Sequence, residues 1–143
     1  MGRINLGRVL IGGLVAGVII NISEFILNGV LLFDEMTAAM AAINKPPVDN
    51  IMIMWFVLLG LGIGFMLVWT YAAIRSRFGP GVQTAICAST LVWGLAYLYP
   101  NLFMIITNIF PRQMMVMVTA WGLGELIVAG IAGAWVYTEA SLG

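Results

Sequence analysis

The chain has 143 residues, 62% of them hydrophobic and 8% charged, with six basic and six acidic side chains that cancel. A soluble domain carries about 25% charged residues, so this surface cannot be covered against water and must face lipid; the mean hydropathy of +1.07 agrees. The balanced charge leaves no basic patch for nucleic acid, the absence of histidine removes the commonest ligand for zinc or haem, and the length leaves no room for a second, soluble domain.

The expected architecture is an all-α membrane protein, one four-helix transmembrane domain over residues 1–143. The first predicted span covers residues 6–33. It exceeds the ~20 residues that cross a bilayer, so it tilts. Arg3 and Arg8 precede an apolar run, as in a signal peptide. The run continues past Asn21, Ser23 and Glu24 without a small-residue cleavage pattern, which points to a retained signal anchor. Asp34 and Glu35 end it. A short amphipathic helix follows at residues 35–44, with Met36, Ala39, Met40 and Ile43 on one face, lying along the membrane surface. Pro46 and Pro47 stop it.

The second span covers residues 51–74, with Trp69 and Tyr71 at its interfacial end. Arg75 and Arg77 follow, then a tight turn at Gly79, Pro80 and Gly81. The third covers residues 82–99, and its apolar pattern continues beyond Pro100 to residue 110 as a kinked extension. Cys87, the only cysteine, sits in this apolar run, where a buried, inert thiol is expected. The fourth covers residues 113–137 and ends in Trp135 and Tyr137.

An even number of spans puts both ends and the middle loop on one side. That side holds Arg3, Arg8, Arg75 and Arg77; the other holds Lys45 and Arg112. The bias predicts both termini in the cytoplasm of a bacterial inner membrane. The halves also echo one another: Gly60–Leu61–Gly62 with Trp69 and Tyr71, then Gly122–Leu123–Gly124 with Trp135 and Tyr137. A two-helix internal repeat would produce this. So would the ordinary recurrence of small and interfacial aromatic residues in membrane helices.

The most informative pattern lies in the first span. Gly13, Gly17, Asn21, Glu24 and Asn28 recur at helical spacing and form one stripe. Gly13 and Gly17 admit another backbone closely. Asn21, Glu24 and Asn28 are expected to present their polar groups to that same neighbour, because facing lipid would cost several kcal/mol. Glu125 in the fourth span, beside Trp121, Gly122, Ala129 and Ala132, is the candidate partner. Counted from the outer boundary, Glu24 lies ~15 Å deep and Glu125 ~20 Å.

Three readings follow. The polar groups join helices, with the glutamates protonated because a neutral acid is far cheaper to bury. Or a span-embedded glutamate couples transport to protons or cations. Or the stripe is buried against another membrane subunit or a second copy. The first and third make a structural or accessory subunit, or a self-associating bundle, the leading expectation, and the second the alternative. Gly60 and Gly64 add a close-packing signal. Trp93, Tyr97 and Tyr99 are read as interface anchors before ligand contacts. A pigment, quinone or lipid against Trp93, Tyr97 and the glycine faces would fit the pattern, although no cofactor is indicated. Ser89, Thr90, Thr107 and Asn108 are expected to bond locally. No nucleophile–base pair, metal-ligand spacing or phosphate loop appears, so no enzyme is expected.

Four short helices with a glutamate in the first resemble, in architecture, the small multidrug-resistance transporters, which are proton-coupled antiparallel dimers. The likeness rests on Glu24 alone. This chain is longer, adds residues 35–44 and Glu125, and has a clear arginine bias. Three stretches resemble uncharacterised bacterial four-helix membrane proteins: residues 7–17 with Asn21, Glu24, Asn28 and Gly29, residues 71–81, and residues 121–125. That resemblance implies the topology and no activity.

Overall fold

The computed structural model describes residues 3–138, which are helical with no β-strand among them. Four helices are long and apolar enough to cross a membrane, over Leu6–Leu31, Asn50–Phe78, Val82–Ile106 and Arg112–Val136. α1 (Leu6–Ile26) starts at Asn5, whose side chain accepts the Arg8 N–H. It continues into a π turn at Leu27–Leu31. α2 (Phe33–Ala42) follows after a break at Leu32. Asp34 and Glu35 therefore open α2 rather than end α1, where the positive end of the helix dipole favours them.

α3 (Asn50–Phe78) begins at an Asp49 cap and runs a turn further than its sequence suggested. Arg75 and Arg77 lie within its last turn, where the dipole favours cations. Gly79 and Gly81 both take positive φ in the turn that follows. α4 (Val82–Trp93) passes through a second π turn at Gly94–Leu98 into α5 (Tyr99–Ile106). The third span thus continues past Pro100, as the apolar pattern suggested, but stops at Ile106, short of residue 110. α6 is Arg112–Val136.

α1 packs between α3 and α6, and α4 closes the bundle against the same two helices. The seams are made of glycine. A Cβ on Gly13 would stand 2.7 Å from Phe65 Cα, and one on Gly17 2.8 Å from Leu61 Cα. A Cβ on Gly64 would strike Gly17 N and Gly13 O. On the other side, a Cβ on Gly12 would meet Gly133 O at 2.7 Å. Backbone-to-backbone approach gives these helices the dispersion contact that lipid cannot offer a bulkier seam.

Two apolar clusters result. The larger is built around Ile20, Leu67, Val68, Ala88 and Leu126. The smaller gathers Leu27, Leu32 and Ala39 with Met114 and Met115, and so anchors α2 to the start of α6. Ala39 is buried and Met36, Met40 and Ile43 are half-buried, the face the periodicity marked. Large side chains point outward along all four spans, Leu10, Leu14, Phe25, Ile51, Leu95 and Val128 among them. Cys87 is exposed on this outer surface, not buried. In an apolar span the hydrophobic face is the outer one, so an apolar neighbourhood says nothing about burial.

At the end shared by Asn5, the close of α3 and the close of α6, Tyr71 and Tyr137 meet edge to face, with centroids 6.0 Å apart. The Arg75 guanidinium lies over both rings, 5.8 and 5.3 Å from their centroids. Tyr137 Oη accepts from Asn5 N at 3.3 Å, and Tyr71 Oη from Gly81 N at 3.2 Å.

Candidate functional site

The stripe on α1 does not face one neighbour. Gly13, Gly17 and Asn21 face α3: Asn21 donates to Val57 O at 3.1 Å and to Gly17 O at 2.9 Å, in a recess left by Gly60. Glu24 and Asn28 face elsewhere. From Asn50 to Leu59 none of the residues of α3 is buried, and the Asn21 bond to Val57 O lies within this exposed stretch. At the level of Glu24 the third span takes its place.

There the Tyr97 hydroxyl reaches both carboxyls. It lies 2.8 Å from Glu24 Oε1 and 2.6 Å from Glu125 Oε1. Tyr97 and Glu125 are 8% and 6% exposed, against a half-buried Glu24. The Asn28 amide donates to Glu24 Oε2 and, at 3.3 Å, to Glu24 O. Trp121 Nε1 donates to Ser23 Oγ at 2.8 Å, and Ser23 lies beside the Glu125 carboxyl. Glu125 Oε2 is enclosed with no hydrogen-bond partner. Glu24 and Glu125, matched in depth by their sequence positions, are thus joined through a third residue.

Tyr97 is no interface anchor. The depth count could have found it: it lies nine residues before Ile106, ~14 Å from that end of the span. What concealed it was the assumption that a tyrosine in a membrane helix seeks the headgroups. Ser23 carried no signal beyond its place beside Glu24. Gly122 makes the site possible, since a Cβ there would stand 2.5 Å from the Tyr97 ring.

Both π turns serve this cluster. Asn28 lies in the first and Tyr97 in the second. In the first, the Asn28 amide takes the Glu24 carbonyl, a side chain inserted into the helical ladder. In the second, Pro100 has no N–H for the Ala96 carbonyl, and its ring would clash with that oxygen in a regular helix. The wider turn, closed by Tyr99 N–H to Gly94 O, relieves this.

A count of hydrogens defines the chemistry. The tyrosine hydroxyl has one hydrogen and faces two carboxyl oxygens at bonding distance. One contact uses that hydrogen, so the other needs a hydrogen supplied by a carboxylic acid. Both contacts are hydrogen bonds at once only when one of the two carboxyls is protonated. With both acids ionised, lone pairs would oppose one another across the longer or the shorter contact, and two anions would share a poorly solvated site. No lysine or arginine bonds to either acid, and no cluster of metal-ligating side chains occurs among the described residues.

The remaining polar residues tie helices together. Ser89 bonds across to Leu126 O at 2.8 Å as well as locally to Ala85 O, which exceeds its expected local role. Trp93 donates to Thr119 O at 2.8 Å, and Asn101 to Thr119 Oγ1 at 2.9 Å. Thr90 and Thr107 bond locally, to Ile86 O and Phe103 O. A groove of about 640 Å³ opens on the outer face of the third span between Cys87 and Leu98 and is not lined by the acids. No family model, curated protein or solved structure matches the chain.

Proposed function

We propose that this chain is a proton-coupled membrane protein whose Glu24–Tyr97–Glu125 cluster binds and releases protons within the bilayer. One observation carries the reading: two carboxyls converge on a single hydroxyl, with no basic side chain bonded to either. A joint meant only to hold helices would be satisfied by amides or hydroxyls, as Asn21 and Ser89 are. A paired acid costs more and gains one property, exchange of a proton.

The orientation proposed with it places the end bearing Arg3, Arg8, Arg75 and Arg77 in the cytoplasm of a bacterial inner membrane, with α2 along the opposite surface. The competing reading is a structural or accessory subunit, or a self-associating bundle. Its support is the outward face of α3 from Ile51 to Leu59, where the large apolar side chains are exposed.

The test is proton uptake into liposomes carrying the purified protein, followed by an internal pH dye after an acid pulse. The proposal expects uptake above that of empty liposomes, and its loss in both Glu24→Gln and Glu125→Gln while each variant elutes as the wild type does. Equal uptake with and without the protein would replace this reading with the accessory one.

A further inference from the structure

We propose that Tyr97 is a proton relay between a half-exposed Glu24 and a buried Glu125. The inference rests on the proton-coupled reading above and adds to it a direction and a carrier. Glu24 retains access to its surroundings, whereas Glu125 is sealed. The Tyr97 oxygen lies between them, at hydrogen-bond distance from both, and the two carboxyls also act on one another directly. The two short contacts, 2.8 and 2.6 Å, both run through that hydroxyl and give a proton passing between the acids a carrier.

The step balances without a tyrosinate or any outside reagent. Glu24 begins as the acid and Glu125 as the carboxylate. The Glu24 O–H bond breaks and its proton bonds to Tyr97 Oη. The original Tyr97 O–H bond breaks in concert, and its proton bonds to Glu125 Oε1. Glu24 ends as the carboxylate, Glu125 as the acid, and Tyr97 keeps one hydrogen, now directed at Glu24. Total charge is unchanged.

The surrounding groups leave this route unopposed. α1 contributes Ser23 and Glu24; the first π turn contributes Asn28 and the second Tyr97; α6 contributes Trp121 and Glu125. α3 presents no ionisable group at this level: its arginines lie in its last turn and Asp49 caps its start. Arg112 opens α6, at the far end of that helix from Val136 and three turns before Glu125. Among the described residues, the acids and the tyrosine are thus the titratable groups of the cluster. The Gly122 recess fixes the ring.

Tyr97→Phe keeps the ring and removes the carrier. In the same liposome assay the relay expects uptake to fall roughly 100-fold, the scale of a lost positioned proton-transfer group. Both carboxyls should still titrate in the infrared difference spectrum. Wild-type uptake by Tyr97→Phe, alongside loss in Glu24→Gln or Glu125→Gln, overturns the relay and leaves the acid pair standing. Uptake indifferent to both glutamine variants overturns the acid pair and the relay together. The wild type gives a test without substitution. With ring-¹³C tyrosine, titrating the acids should shift a tyrosine C–O band as its hydrogen turns from Glu125 to Glu24, and an unmoved band overturns the relay.

Discussion

Single atoms set what this interior tolerates. Gly122→Ala would put a methyl group 2.5 Å from the Tyr97 ring. The ring must retreat, and overpacking of this kind costs about 1–3 kcal/mol. The expected result is a lower midpoint in detergent denaturation together with loss of proton uptake, a pairing that a purely structural glycine would not give. Asn21 offers a contrast. Its bond to Val57 O joins α1 to α3 away from the acids, so Asn21→Val should lower stability by about 0.6 kcal/mol, the usual worth of such a bond in a bilayer, and leave uptake unchanged. Loss of uptake in Asn21→Val would show that the two halves of the stripe act as one. At this scale the sequence exposed the acids and the asparagines, because polar side chains in an apolar run stand out. It concealed Tyr97, whose hydroxyl is hidden by an aromatic ring that membrane interfaces also favour.

The elements behave as periodicity predicts until a turn departs from 3.6 residues. Helical spacing placed the four spans to within a turn, and the glycine and apolar stripes marked their packed faces. It could not place the π turns, which shift everything beyond them by a residue, nor the exposure of α3 over residues 50–59. The second π turn also makes a prediction. Pro100→Ala restores the missing N–H and removes the ring clash, freeing residues 94–98 to close as an α-helix. Tyr97 would then rotate off the acids. The variant should be as stable as the wild type or more so, and yet fail in proton uptake. Retained uptake would mean that packing against Gly122, rather than the proline, holds the turn open.

For the molecule as a whole, composition was enough to establish four apolar helices, because so few charges leave no other solvent for the surface. It could not say which apolar residues face inward, and Cys87 shows why: in lipid, the outer face is as apolar as the core. The folded protein should therefore react at Cys87 with a membrane-soluble maleimide. A thiol inert until denaturant is added would contradict its outward placement. Orientation is testable in a Cys87→Ser background. Lys45→Cys should label with an impermeant reagent from outside intact cells, and Arg77→Cys only after permeabilisation. The reverse pattern would invert the topology.

The hydrogen bond from Asn5 N to Tyr137 Oη, 3.3 Å long, has an engineering consequence. Positions separated by nearly the full chain are neighbours there, under the roof formed by Arg75 and the two tyrosine rings. A brief glycine–serine tether could stitch them, and a new opening cut between Lys45 and Asp49 would then yield a circular permutant with every helix still in its place.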